Sequence, residues 1–353
     1  DVNNDGKNDI VTANQGDDTI SILLWNSNSS NWESQIPKNV GNSPESVYIG
    51  DANNNGQNEI VASSLDNTVS IFEWNDTIED WDKTIKTVGD DPESVIIEDA
   101  NNDGFNDIVT ANMGEFDVSI ILWNNATEEW DDHIRRDVGY LPYSVFVGDG
   151  NNDGYNDIVT ANFGIDNNIA ILLWNESLND WDDKITKVAG NSPYSVFIED
   201  ANNDGQNDII SSSLDGEVFI FCWNTTSHNW DQSINRTVGS NPRNLFVGDA
   251  NNDGYNDIAT ANFFDHSTSL LLWNDTSGEW DSEISLLVGR QPHFVLIGDA
   301  NDDGSNDIIT VNYEDNNVSI LLGNLELLDK PYLEPILPDQ DNDGIIELNW
   351  TDV

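Results

Sequence analysis

Seven nine-residue segments of this chain place an oxygen-bearing side chain at nearly every second position. They begin at Asp1, Asp51, Asp99, Asp149, Asp200, Asp249 and Asp299. The first reads Asp1-Val2-Asn3-Asn4-Asp5-Gly6-Lys7-Asn8-Asp9. A hard cation such as Ca²⁺ takes six to eight oxygens at about 2.3–2.6 Å, and a chain turning tightly around it points alternate side chains inward. The expected ligand sets are Asp1, Asn3, Asp5, Lys7 and Asp9; Asp51, Asn53, Asn55, Gln57 and Glu59; Asp99, Asn101, Asp103, Phe105 and Asp107; and Asp149, Asn151, Asp153, Tyr155 and Asp157. They continue with Asp200, Asn202, Asp204, Gln206 and Asp208; Asp249, Asn251, Asp253, Tyr255 and Asp257; and Asp299, Asn301, Asp303, Ser305 and Asp307. Position six is always Gly, expected at positive φ. Position seven varies freely, as it would if only its backbone carbonyl were used. Asp, Asn and Gly also make good turns without a metal. That accounts for the composition but not for carboxylates held at positions one, five and nine. The second loop is expected to bind most weakly, because Asn55 and Glu59 replace aspartates.

Three carboxylates in one turn repel, each pair at 4 Å by about 1 kcal/mol in water and about 4 kcal/mol near a protein surface. A cation reverses that sign. With a dissociation constant near 10⁻⁴ M and calcium near 10⁻³ M, each site adds about 1.4 kcal/mol, and seven add about 10 kcal/mol. Such affinities serve only where calcium is abundant, so an extracellular or cell-surface setting is expected. The formal charge of −54 disfavours nucleic acid and anionic membranes as partners. No stretch has the length of a membrane helix, and no signal peptide is present. The chain opens inside a loop, which reads as a mature or truncated piece of something longer. The lone Cys222 beside Trp223 reads as a structural thiol.

The loops must be held by short strands. In the unit Ser94 to Val138, Ser94–Asp99 precedes the loop, and Asp107–Asn112 and Val118–Trp123 follow it. Trp130 to Val138 then gives a fourth run. Four such strands with turns between them describe one antiparallel propeller blade. A single blade buries too little alone, so neighbours must stack. Trp25, Trp74, Trp123, Trp174, Trp223 and Trp273 recur in the third strands, and Trp32, Trp81, Trp130, Trp181, Trp230 and Trp280 in the fourth. Packing between blades is expected for them, with sugar stacking the alternative. The fold class expected is an all-β, seven-bladed β-propeller over 1–328, whose first blade lacks its leading strand. The simplest ring is closed by upstream residues, an eighth upstream blade being the alternative. Residues 329–353 read as a linker, Lys330–Pro338, and the truncated start of a fibronectin type III-like sandwich with a strand at Ile345–Trp350. Asp339, Asp341, Asp343 and Glu347 there read first as a turn and second as a further calcium site.

The repeated Asp-x-Asn-x-Asp-Gly-x-Asn-Asp-Ile-Val-Thr-Ala-Asn, followed by Val-Ser-Ile-Leu-Leu, resembles the FG-GAP/VCBS repeat over residues 1–324. The resemblance implies calcium in the turn between first and second strands on the lower face. Asn at the third ligand position, and the absence of the Phe-Gly and Gly-Ala-Pro segments, set the chain nearer the microbial VCBS branch than integrin α subunits.

A ligand face is sought where the repeats differ. After the proline entering each first strand stand Glu45, Glu93, Tyr143, Tyr194, Arg243 and His293. These are expected to ring the upper mouth of a central channel. Phe163, Phe263, Phe264, His266 and Tyr313 come from loops between second and third strands, and Arg290 and Gln291 join them. Tyr143, Tyr194, Arg243, Phe263, His266, Arg290, His293 and Tyr313 form the candidate ligand set, and substitution of Arg290 or His293 is expected to abolish binding. His133, His228, His266 and His293 show no zinc or triad spacing. Sequons at Asn28, Asn75, Asn125, Asn175, Asn224 and Asn274 fall in the turn between third and fourth strands and are candidate glycosylation sites. Asn235, Asn317 and Asn349 begin others. The leading functional expectation is a calcium-stabilised extracellular recognition or adhesion propeller binding a glycan or protein. A structural block of a surface layer or filament, with assembly neighbours, and a lyase-like polysaccharide enzyme are the alternatives.

Overall fold

The computed structural model describes residues 1–323 and the backbone of the strand Ile345–Asn349. Short runs of β-branched and aromatic residues, bounded by Gly, Pro, Asn and Asp, form antiparallel strands, and no helix occurs among the described residues. Blade 3 shows the pattern: first strand Pro92–Glu98, second Asp107–Asn112, third Asp117–Ile121 and outer Ile134–Asp137 pair in that order. Blades 2, 4, 5 and 6 repeat it. Among the described residues blade 1 has three strands, Ile10–Asn14, Thr19–Leu23 and Ile36–Asn39. Blades 1–4 lie in one compact unit, Asp1–Val188, and blades 5–7 in a second, Ala189–Val353. The fold class is an all-β, seven-bladed β-propeller.

Two differences from the sequence reading concern strands. The run Ile345–Asn349, expected to open a sandwich, is the outer strand of blade 7. It pairs Leu321 with Ile345 and Asn317 with Asn349 along the third strand Asn317–Leu321. That strand would otherwise present an open edge, and an apolar segment from the same chain satisfies its N–H and C=O groups. Lys330–Pro338, Asp339, Asp341 and Asp343 lie outside the described residues. The second difference is that the expected fourth strand is split. Trp130 pairs with Trp123 in a two-residue ribbon, Glu129–Trp130 against Trp123–Asn124, while Ile134–Asp137 alone joins the blade.

Blade 3 also shows how the core forms. Ile97, Ile108 and Ile121 pack toward blade 2, in one cluster with Val61, Val69 and Ile71. Ile96, Val109 and Ile120 pack toward blade 4, with Val145, Ile158 and Leu172. Both faces are covered, so Asp107–Asn112 is buried throughout and reads as a continuous run instead of an alternation. The repeated tryptophans meet edge to face, with ring centroids 4.6–5.1 Å apart. Trp81, Trp123, Trp174, Trp181, Trp230 and Trp280 are all buried, which places this set in packing.

The polar residues of the repeat stitch this core. Asn112 donates to Asp117 Oδ1 (2.8 Å) and Ser119 Oγ (2.9 Å), and accepts from Thr110 Oγ1 (2.8 Å). Gly89 runs so close that a Cβ there would meet the Asn112 side chain at 2.6 Å. On the outer strands, Lys38, Arg136 and Arg236 each lie over a tryptophan of the next blade, Trp81, Trp181 and Trp280, at 5.2–5.5 Å. Each also pairs with the acid before that tryptophan, Asp80, Asp180 or Glu279. Lys38, Lys86, Arg136, Lys187 and Arg236 occupy one register position opposite Ile20, Val69, Val118, Ile169 and Val218. The scarce cations of this acidic chain are thus spent largely on holding blades together.

Candidate functional site

Each acidic loop is closed by its own hydrogen bonds. In blade 3, Asp99 Oδ1 and Asn101 Oδ1 both accept from Asp103 N at 3.0 Å, so oxygens from positions one and three converge on one nitrogen. Asp99 Oδ2 accepts from Gly104 N (2.8 Å), and Asp103 Oδ1 from Phe105 N (3.0 Å). The same bonds recur in the other loops, with Asn55 substituting at position five of the second. Gly104 has φ of 90°, as expected. Position four is also left-handed, at 59° in Asn102, and Asn is the residue type besides Gly that adopts this conformation readily.

Position nine does a separate job. Asp107 is fully buried, accepting from Ala100 N (3.1 Å), Asn101 N (3.3 Å) and Trp123 N (2.9 Å). Capture of the Trp123 amide lifts it out of the blade and splits the outer strand. Asp9, Asp157, Asp208, Asp257 and Asp307 hold the equivalent amides, the last that of Gly323. In blade 2 the longer Glu59 turns both oxygens back on the loop, to Ala52 N, Asn53 N and Asn53 Nδ2. Trp74 then stays in the ladder, and the third and outer strands run unbroken through Thr68–Asn75 and Asp80–Thr87.

Burial, reinforced by the charges of Asp103 and Asp99, pushes the Asp107 carboxyl up to about 7. Burial likewise raises Asp157 to about 8, Asp208 and Asp257 to about 7, and Asp307 to about 6, with their loop partners adding. These loops are short of positive charge. Their donors are all hard oxygens, which fits Ca²⁺ and not a soft metal. Among the described residues no three His, Cys, Asp or Glu side chains gather as a ready-made metal cluster. Here the carboxylates are turned to backbone N–H groups.

Successive loops are also joined to each other, through asparagines that the sequence reading left unassigned. Asn102 of position four donates to Asn156 O (3.0 Å) and accepts from Asn156 N (2.6 Å). Asn156 of position eight donates to Asp99 O (2.9 Å). Asn54 with Asn106, Asn203 with Asn256, and Asn252 with Asn306 repeat this clasp. The recurrence of Asn at positions four and eight was the available signal. Replacing Asn102 by Ala removes both side-chain bonds and puts a Cβ residue without local compensation at positive φ. The expected loss is about 2–3 kcal/mol in urea unfolding, and Asn102→Gly should recover about 1 kcal/mol of it.

The other end of each blade carries the variable residues. Pro242 pairs with Asn262, and Gly248 with Asp257, so the entry prolines stand one strand length, about 17 Å, from the acidic loops. In the second unit, Tyr194, Arg243, Phe263, His293 and Tyr313 come together. The Arg243 Cζ lies 3.5 Å from the Phe263 ring centroid and 5.5 Å from that of Tyr194. Tyr194 Oη is 3.5 Å from His293 Nε2. The His293 ring is 6.2 Å from Phe263 and 6.3 Å from Tyr313. Phe264 packs on Phe263 at 5.4 Å and, like Tyr313, is more than half exposed.

Other candidates are committed elsewhere. Arg290 is held by Asp315 (2.6 Å) and Glu314 (3.1 Å), and His266 Nδ1 accepts from Gln291 N (3.0 Å). Arg290 is therefore a loop staple in this structure. In the first unit Tyr143 packs at a tilt on Phe163, centroids 5.9 Å apart, and hydrogen-bonds Glu93. Burial and the nearby Glu45 raise Glu93 to about 8. Burial of His293 and the adjacent Arg243 charge lower its pKa to about 4. Because that value lies below the ordinary one, neutral His293 favours the folded state above pH 6.5, and this support is lost as pH falls through 4. His293 is expected to titrate near 4 by NMR, and to move upward in Arg243→Met.

The sequon sites divide. Asn75, Asn175, Asn224 and Asn274 donate their side-chain amides across the hairpin to Asp82, Asp182, Asp231 and Asp281. Asn28 and Asn125 are exposed in their turns, and Asn317 is buried. The Cys222 thiol is half-buried, and burial raises it to about 11.

Fold and loops together define a repeat β-propeller whose blade turns are built on acidic, asparagine-linked loops. The chain carries FG-GAP-like repeats: that family's model matches residues 1–62, 51–110 and 200–260. No curated protein sequence matches the chain. Among solved structures it is similar to a putative 6-phosphogluconolactonase from Bacteroides fragilis, at 13% identity and TM-score 0.66, covering 98% of this chain and 96% of that one. A putative 6-phosphogluconolactonase from Bacteroides uniformis is similar at 12% identity and TM-score 0.65, covering 88% and 90%. Hydrazine synthase from Kuenenia stuttgartiensis is similar at 12% and TM-score 0.61, covering 90% and 95%. These likenesses establish the fold alone.

Proposed function

We propose that this chain is a calcium-stabilised extracellular recognition propeller that binds a glycan or protein ligand through the end of its blades opposite the acidic loops. The observation that carries this is the convergence of Tyr194, Arg243, Phe263 and His293, flanked by exposed Phe264 and Tyr313. Aromatic and basic groups clustered on a chain of charge −54 are what a binding surface requires and what solubility does not. Calcium in this reading is structural. Asp99, Asn101, Asp103, Asp107 and the Phe105 carbonyl would hold it in blade 3, and their equivalents elsewhere. When bound it supplies the positive charge that these loops lack. FG-GAP propellers are generally not enzymes, which favours a binding surface over a catalytic one.

A glycan and matrix-protein array probed with calcium-loaded protein tests the reading. A specific hit weakened at least tenfold by Phe264→Ala with Tyr313→Ala is expected. Silence from folded protein would sink it in favour of a structural surface component.

A further inference from the structure

The structure holds five arginines, and four of them are matched by carboxylates: Arg135 by Glu115 and Asp117, Arg136 by Asp180, Arg236 by Glu279, and Arg290 by Glu314 and Asp315. Arg243 is the exception. Its Nε donates to Asn241 Oδ1 at 3.2 Å, and its guanidinium lies flat against Phe263. Its two terminal nitrogens have no hydrogen-bond or carboxylate partner among the described residues. His293 beside it, neutral or protonated, brings no negative charge to pair with it. In a protein with 66 acidic residues, a half-buried guanidinium without an acid is a site left open for an outside anion.

We infer that Arg243 is the anchor for the carboxylate of an acidic sugar, a uronic acid residue, whose ring lies against exposed Phe264 and Tyr313. This rests on the recognition reading above and specifies its ligand. The two terminal nitrogens match a carboxylate bidentately. Stacking on Phe263 fixes the plane of the fork and spares the entropy of ordering it on binding. The net charge of the chain selects against a dianion such as a phosphate ester, since repulsion scales with ligand charge. It disfavours a densely charged polyanion for the same reason. Two aromatic faces beside the fork suit the C–H face of a pyranose.

Calorimetry on the full calcium-loaded chain, with cellobiouronic acid, cellobiose and the tripeptide Gly-Tyr-Asp as probes, tests this. The sugar acid should bind at least tenfold more tightly than cellobiose, with the margin shrinking as salt rises. Arg243→Met, which keeps the aliphatic packing, should erase that ratio with the melting temperature little changed. Arg243→Lys should leave only part of it. Equal binding of acid and neutral sugar, a ratio untouched in Arg243→Met, tighter binding of the tripeptide, or no binding of either sugar would each overturn the inference. An array hit that needs Phe264 and Tyr313 but ignores Arg243→Met would leave the recognition reading standing and remove only its uronic acid.

Discussion

Excess EDTA is expected to lower the melting temperature of this protein by about 11 °C at pH 7.5, relative to millimolar calcium. The figure follows from about 1.4 kcal/mol at each of six loops, the second with Asn55 and Glu59 adding least, and the unfolding entropy of a chain this long. Scanning calorimetry with and without chelator measures it directly. The sign of the pH dependence provides a second check. Without calcium, the carboxyls at position nine have folded-state values of about 6 to 8, above their unfolded value. A raised carboxyl stabilises the fold fully at pH below its unfolded pKa, and the contribution is lost as pH rises through the folded one. The chelated protein should therefore melt higher at pH 5 than at pH 8. With calcium the order reverses, because cation and proton compete for the same oxygens. A melting temperature indifferent to EDTA at both pH values would end the calcium reading while leaving the propeller intact.

Substitutions at two positions of one loop should separate cation binding from backbone capping. Asp107→Ala removes a fully buried carboxylate that holds the amides of Ala100, Asn101 and Trp123. Stranding those donors costs about 3–5 kcal/mol without calcium, and with calcium the roughly 1.4 kcal/mol of one site should be lost as well. Asp103→Asn behaves differently. Its Oδ1 accepts one exposed amide, and the second loop already makes that bond with Asn55. The chelated protein should keep its stability within about 0.5 kcal/mol. The calcium-dependent part should fall by about one site, 1.4 kcal/mol. Urea titrations of both variants, each with and without EDTA, give the four numbers. Losses that are the same with and without EDTA for each variant would mean that these loops are turns and nothing more.

Which parts of this were legible beforehand follows from the range of the interactions. The acidic loops announce themselves because their geometry is local: every bond that closes one spans five residues or fewer, apart from position nine. The blades were legible for a related reason, since strand runs and turn residues repeat unit by unit. The clasp between Asn102 and Asn156 was missed although its residues recur, because its partners lie 54 residues apart. The row from Lys38 to Arg236 was missed likewise, its repeat position being visible but not its tryptophan partner in the next blade.

The sequence by itself determined the repeat, the fold class, the position of the acidic loops and the end of the blade where variation gathers, because each is written in local spacing. Only the tertiary structure decided that Ile345–Asn349 completes blade 7, since an open strand edge takes whatever strand reaches it. It likewise decided that Arg290 is tied to Asp315 while Arg243 has no acid. Both arginines look equally available in the sequence. Whether a charge is neutralised depends on which side chains lie within about 4 Å, and packing between blades sets that distance.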